Sequence, residues 1–424
     1  MSSLNRTVAP QTSILTKVQL PAVEEITLDN ALKVYAIQSN HEILKVDFIF
    51  EAGKWYEEKN LLADFACKMM KEGTHSKTSH QINDFLDFYG CNLEEQVYFS
   101  NAGFQLYSLT KNLVHVLPLM KELLTEPSFP EKELSIQLEN RKEQHLQSLA
   151  KNDYLSNRMF LSSMWGNKHP YGRVTEEHNF TEITQADVSN YFQRYYNAAN
   201  CFIIISGKYD CNVIKELNRV LGTKDWLGQP APAFNHHREK DPNMESYLPI
   251  ADSVQSSVMV GNASILKSDP DFDELTVLNT LFGGYFGSRL MSNIREDKGY
   301  TYGIYSSLSA YKQGTIFEIG AEVGKSHKDD TLREIKIEMQ RLQSELVDEE
   351  ELQTVKNYMS GRILRSVDGA LRYSDVLKGL LLFDRKPESI NSYLTTIQNI
   401  SAERIQFLAK RYLDFEKMYR VAVG

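Results

Sequence analysis

The feature that most constrains this chain is that its end repeats its middle. Ile183–Gly207, ITQADVSNYFQRYYNAANCFIIISG, aligns without a gap on Ile400–Gly424, ISAERIQFLAKRYLDFEKMYRVAVG, sharing the leading Ile, an Arg-Tyr pair and the final Gly. At nearly the same offset, PEKELSIQLENRK (Pro130–Lys142) lies on DEEELQTVKNYMS (Asp348–Ser360). A helix-then-strand unit that recurs in this way marks a tandem duplication, so the architecture of one half constrains the other. At 424 residues the chain is also too long for one ordinary core.

The local patterns predict the elements of each half. Ile26–Leu28 and Leu32–Ile37 flank Asp29-Asn30, a hairpin-like opening in which Asn can take the left-handed conformation. Leu44, Val46, Phe48 and Phe50 alternate with Lys45, Asp47, Ile49 and Glu51, the period of a strand with one buried face. Apolar residues at helical spacing predict a helix over Asn60–Lys71, and Thr78-Ser79 caps a second that stops at Gly90. Strands are expected at Leu93–Tyr98 and Gly103–Leu109, then helices at Asn112–Leu124, from Glu131 to about Leu149, and around Tyr154–Trp165. Thr184-x-x-Asp187 opens a helix through a capping box, and Cys201–Ser206 is a continuous apolar run fitting a buried strand. The second half repeats the scheme with strands at Val254–Val260 and Thr315–Val323 and helices at Asp271–Phe282, Asp329–Leu346, Asp348–Val367 and Leu371–Phe383. The expected fold class is α+β: two tandem homologous domains, each a mostly antiparallel sheet with helices on one face. Their expected bounds are 15–227 and 250–424, joined by a Pro- and charge-rich linker at 228–249.

Composition excludes some functions. A net charge of −9 without a basic stripe argues against a nucleic-acid partner. The N-terminal stretch MSSLNRTVAPQTSIL has one arginine and no apolar leader core, and the longest apolar runs are far short of a membrane span, so a cytoplasmic location is expected. Cys67, Cys91, Cys201 and Cys211 lack C-x-x-C spacing and fit reduced thiols better than disulfides or a zinc knuckle. His236-His237 has no partner ligand at metal spacing.

One stretch carries catalytic-type chemistry. In Gly283–Ser307, GGYFGSRLMSNIREDKGYTYGIYSS, a glycine-loosened helix end leads to Arg295, a Lys298-Gly299 turn, and a strand bearing Tyr300, Tyr302 and Tyr305. A guanidinium fork and a directed phenol on adjoining elements can hold a carbonyl or carboxylate. A surface ion pair beside an aromatic sheet face is the alternative.

With these segments in hand, the chain resembles the pitrilysin or insulinase family of zinc peptidases, in particular the short two-domain branch that contains the mitochondrial processing peptidase. The resemblance runs from LDNALKVY (Leu28–Tyr35) through EAGKWYEEKNLLADFACKMMKEGT (Glu51–Thr74), PSFPEKEL (Pro127–Leu134), HPYGR (His169–Arg173) and Arg194–Gly207 to Phe282–Ser309. Active members carry His-x-x-Glu-His on the helix equivalent to Asn60–Lys71, two zinc ligands and a general base. Those positions here are Asp64, Cys67 and Lys68, and the nearest counterparts of the family's third ligand, a glutamate, are Glu139 and Glu143. The resemblance therefore implies a degenerate metal site with no metal of its own, in which Lys68 is expected to bridge Glu143 or Glu139; an Asp64–Lys68 pair at i, i+4 competes. The Arg/Tyr pair that complements a partner's zinc in this branch matches Arg295 and Tyr302, with Tyr300 or Tyr305 as alternatives for the tyrosine. The segment Ser100–Phe104 sits where the family adds substrate peptide to a sheet edge. Ala31 replaces the family's usual glycine.

The expected function is a non-catalytic subunit of a heterodimeric zinc peptidase, forming half of a peptide-degrading chamber opposite a homologous zinc-bearing partner. A catalytically inert structural or peptide-binding homologue, as a homodimer or with a non-peptidase partner, is the alternative. An independently active zinc endopeptidase is disfavoured by Asp64, Cys67 and Lys68.

Overall fold

In the computed structural model, which describes residues 14–424, the duplication appears as two matching sheets. Most of the N-terminal stretch considered above lies outside the described residues. The first half runs β1 (Glu24–Thr27), β2 (Lys33–Gln38), β3 (Ile43–Phe50), α1 (Leu62–Met69), α2 (Ser79–Phe88), β4 (Asn92–Val97), β5 (Ala102–Leu109), α3 (Thr110–Thr125), α4 (Glu131–Ser148), α5 (Asn152–Trp165), α6 (Asn179–Glu182), α7 (Gln185–Tyr195), β6 (Cys201–Gly207) and α8 (Cys211–Leu221). The second runs β7 (Glu245–Leu248), β8 (Gln255–Ser264), α9 (Phe272–Asn279), β9 (Thr301–Tyr311), β10 (Gly314–Gly324), α10 (Lys328–Ser344), α11 (Glu349–Ser366), α12 (Ala370–Leu381), α13 (Ser389–Asn399), α14 (Ala402–Tyr412) and β11 (Tyr419–Val423).

The strand orders are β1-β2-β6-β3-β5-β4 and β7-β11-β8-β10-β9. Apart from β1 they match strand for strand, even to the single parallel pair, β2–β6 in one and β7–β11 in the other. The stretch expected as a linker is extended only as far as residue 244; its end is β7, the counterpart of β2. At the opening hairpin, Ala31 rather than Asn30 takes the left-handed conformation, at φ 69. Asn30 is held instead by its side-chain amide, which donates to the Leu221 carbonyl at 2.8 Å.

The halves exchange a helix. α12 of the second half packs on β2 and β6, and α5 of the first packs on β8 and β11. Phe160, Met164 and Trp165 of α5 share a buried cluster with Met259, Ile316, Tyr419 and Val421. Tyr373 and Leu377 of α12 share the other with Ile37, Ile49 and Ile204. Each fully buried side chain of this kind contributes roughly 1.5–3 kcal/mol, so the halves are tied by both cores.

The exchange corrects the reading of β3. Its alternate face, expected in solvent, lies beneath α12, and Lys45 and Asp47 are buried. Burying charge requires partners. Lys45 Nζ lies 2.5 Å from Asp375 Oδ1 and 3.7 Å from Asp47 Oδ2. Gln105 donates to Asp47 at 2.8 Å, and Lys378 donates to Gln96 at 2.8 Å and to Asp47 at 3.3 Å.

Candidate functional site

Helix α1 is shorter than predicted because Leu61, at φ 74, cannot belong to it. Its apolar side chains and Cys67 enter the core, Asp64 is half-buried and Lys68 is exposed. The Cys67 thiol lies 3.3 Å from the Gly103 carbonyl oxygen, to which its S–H donates. Burial, with the Glu95 carboxylate adding to it, pushes this thiol up to about 12, so it stays protonated. Asp64 Oδ2 is paired with Lys54 Nζ at 3.0 Å.

The bridge expected from Lys68 to Glu143 or Glu139 does not form, nor does an Asp64–Lys68 pair. Lys68, Glu139 and Glu143 are all exposed, and α4 turns Leu134 and His145 inward instead. These residues do not fit a zinc ion: one carboxylate is spent on an ammonium, one thiol is held neutral, and the third position is a cation. Among the described residues, no group of three or more His, Cys, Asp or Glu is disposed to hold a metal.

Sequence reasoning missed the groups that do gather around α1. Glu57 is buried and accepts from the Ala63 N–H, in the first turn of the helix, at 3.1 Å. Arg173 of HPYGR reaches it from 116 residues away, at 3.5 Å. Burial first, and the Asp64 carboxylate second, push Glu57 up to about 7. Only the Arg in HPYGR hinted at this cluster. His236, by contrast, packs edge-on against Trp55 and donates to its carbonyl at 2.9 Å, a structural role.

In the second half, α9 continues into a π-helical turn at Thr280–Gly284, and Arg295 lies on another at Met291–Asp297. π-Helical turns are rare and recur at functional sites. The predicted turn is present, with Gly299 at φ 67. β9, the edge strand of the second sheet, then begins with a β-bulge: Tyr302 and Gly303 stand opposite the single residue Glu322, between the pairs Thr301–Val323 and Ile304–Ala321. A bulge bends its strand and re-aims a side chain. Tyr302 is 91 % exposed.

The three tyrosines differ. Tyr300 stacks on His327, centroids 4.4 Å apart, and Tyr305 lies across Gly320, where a Cβ would come within 2.6 Å of its hydroxyl. Tyr302 has no hydrogen-bond partner among the described residues. The Arg295 guanidinium sits 4.5 Å from the ring centre of Phe286, itself 63 % exposed, and makes no ion pair among the described residues. No hydrogen bond joins Arg295 to Tyr302.

Tyr302 lines a cleft of about 780 Å³ between the second sheet and the first half, walled by α5, residues 172–175, β8, β9 and β10. Arg173 opens on the same cleft, so the Glu57 cluster touches its wall. Arg295 lies outside this wall. The edge strands of the first sheet are β1 and β4, and Ser100–Phe104 instead spans the turn after β4 and the start of β5, which is paired on both sides.

Two matched α+β halves with an exchanged helix, the first with a metal helix that lacks a zinc ligand set, define an inactive-type pitrilysin-like peptidase domain pair. The comparisons with known proteins agree. The family described as insulinase (peptidase family M16) matches residues 33–177, and the peptidase M16 inactive domain matches residues 182–359. The chain belongs to the insulinase, or M16, peptidase family. It is 22% identical over 375 residues to the uncharacterized zinc protease YmxG of Bacillus subtilis (strain 168), covering 86% of this chain and 88% of that protein. Its fold is similar to the crystal structure of a peptidase M16 inactive domain from Pseudomonas fluorescens, at 21% identity and a TM-score of 0.86 over 95% of this chain and 98% of that one. A protease from Helicobacter pylori is similar at 15% identity and a TM-score of 0.85, over 96% and 100% of the two chains.

Proposed function

We propose that this chain is the non-catalytic subunit of a two-subunit zinc peptidase, supplying Arg295 and Tyr302 to a peptide held between it and a homologous partner. The observation that carries the reading is that, among the described residues, the Tyr302 hydroxyl has no hydrogen-bond partner and the Arg295 guanidinium no ion pair, its one neighbour being the exposed ring of Phe286. A bulge that exposes a phenol, and a guanidinium resting on an exposed phenyl ring, are arrangements that serve something outside the molecule. Tyr302 would donate its hydroxyl, and Arg295 its fork, to a peptide carbonyl oxygen as negative charge develops on it. The metal belongs to the partner in this reading, because Asp64, Cys67 and Lys68 do not fit one.

The two subunits would enclose unfolded peptides in a chamber. The protein would work in the cytoplasm, a reading supported by its four free cysteines. Co-expression with a homologue bearing His-x-x-Glu-His tests the proposal. The pair is expected to co-purify and to cleave unfolded peptides, and Tyr302→Phe to lower the rate about 10²-fold or more. A stable homodimer, or a complex indifferent to Tyr302→Phe, would instead favour an inert structural or peptide-binding homologue.

A further inference from the structure

No hydrogen bond joins Arg295 to Tyr302, so the placement of one relative to the other is set by what holds the π-helical turn Met291–Asp297. One side of this turn is seated on β9. The Ile304 N–H donates to the Met291 sulfur at 3.4 Å, and the Tyr300 N–H donates to the Ile294 carbonyl at 3.1 Å. These two contacts bracket the bulge from which Tyr302 projects.

The other side of the turn rests on α10. Asn293, two residues before Arg295, donates its side-chain amide to Glu338 Oε1 at 2.8 Å and to Glu334 Oε2 at 3.1 Å. Its carbonyl accepts from the Lys298 N–H at 3.0 Å, where the turn ends. Asn293 therefore couples the middle of the turn to its end and both to α10.

The Glu338 carboxylate is 1% exposed. Among the described residues its one ion pair is with Arg341 at 2.9 Å, a side chain 51% exposed, and its second oxygen is buried without a hydrogen-bond partner. Arg289 does not close that gap, because its fork is committed to Glu351 through two bonds of 2.8 Å. A buried charge satisfied this incompletely is a poor source of stability, and an apolar residue of similar size is often neutral or stabilising in its place. What Glu338 does supply is a fixed acceptor for the middle of the turn.

We propose that Glu338 is a positioning residue for Arg295: by holding the Asn293 amide, it sets the direction in which the turn aims the guanidinium relative to Tyr302. The inference rests on the reading of Arg295 and Tyr302 given above. A donor aimed at developing charge works within a narrow range of positions, and a displacement of about 1 Å can cost about 10²-fold in rate. Glu338 makes no hydrogen bond to Arg295 or Tyr302, so its effect passes through Asn293.

The test is a mutant cycle in the complex with a zinc-bearing homologue, reading kcat and KM for an internally quenched unfolded peptide. Glu338→Met removes the acceptor at similar volume and is expected to lower kcat about tenfold or more, with KM changed less than about twofold. Glu338→Gln keeps an oxygen acceptor and should retain most of the rate. In an Arg295→Ala background, Glu338→Met should lower the rate no further, because it acts through the missing guanidinium. An equal loss in both backgrounds marks a merely structural role and overturns the proposal, as does wild-type kcat in Glu338→Met. If Arg295→Ala is itself without effect, the reading of the Arg/Tyr pair fails and takes this one with it, an outcome distinct from the other two. In the chain alone, hydrogen exchange over 291–298 should rise about tenfold in Glu338→Met but not in Glu338→Gln, and unchanged exchange overturns the proposal without any partner. Thermal melts establish that each variant folds; if Glu338→Met does not, Asn293→Ala, which removes the donor from the same bond, takes its place.

Discussion

The helix that follows the first long strand meets opposite fates in the two halves. After β3, α1 turns Asp64 to Lys54 and Cys67 to the Gly103 carbonyl, leaves only Lys68 exposed, and has its first turn capped by the buried Glu57. After β8, the corresponding segment runs through two π-helical turns and a bulge and leaves Tyr302 exposed and Arg295 half-buried against the ring of Phe286. The same contrast holds for the exchanged helices. α12 is tied to the first sheet by buried charges, whereas α5 crosses the second sheet on Phe160 and a Ser156–Ser257 hydroxyl bond of 2.8 Å, beside an open cleft. One duplicated plan thus has Asp64 and Cys67 satisfied within the chain in one half, and in the other a guanidinium without an ion pair and a phenol without a hydrogen bond among the described residues. A site that is complete satisfies its donors; a half-site does not.

Removing the charges that close the first half is the most destabilising way to probe this contrast. Lys45→Met leaves Asp47 buried with only Lys378 and Gln105, and is expected to cost about 3–5 kcal/mol in urea unfolding. A loss below about 1 kcal/mol would mean that α12 is held by its apolar face alone.

Glu57 offers a pH signature confined to the same half. Its folded value is raised, from 4.5 to about 7, so the folded state holds the extra proton in that window. Stability from this group is therefore full below about 4.5 and is lost as pH rises through about 7. Glu57→Gln should flatten the profile, gaining up to about 3 kcal/mol on the wild type between pH 4.5 and 8. Parallel profiles would mean that Arg173 already compensates the charge.

The smallest effect is chemical. Cys67, buried and held up at about 12, should resist iodoacetamide in the native chain, while exposed Cys211 reacts. Modification of Cys67 without unfolding would show that the metal helix is open after all.

Much of this plan is legible in the sequence, because the signals for it are local. The capping box at Thr184 and Asp187 forms, the Lys298-Gly299 turn closes as its glycine requires, and the apolar run after Cys201 becomes a central strand. The helix exchange is not legible. Lys45 and Asp47 alternate as a solvent face would, and their cover, Asp375, comes 330 residues after Lys45. For the same reason the sequence points to a Lys68–Glu143 bridge and carries no sign of the Asp64–Lys54 pair: helical spacing says which residues share a face, but not which loop residue folds back over it. The role of Ala31 depends on Asn30 being claimed by Leu221, another contact far along the chain. Arg295 and Tyr302 are visible as residue types, but the bulge that exposes Tyr302 is a property of pairing with β10.

The contrast between the halves is tested most directly by two substitutions in one complex with a zinc-bearing homologue, reading peptide cleavage and zinc content together. Arg295→Ala is expected to lower the rate by about 10²–10³ with zinc unchanged. Asp64→Ala is expected to leave both as they were. If Asp64→Ala removes zinc or activity while Arg295→Ala does not, the catalytic half is the first one, and the account is wrong.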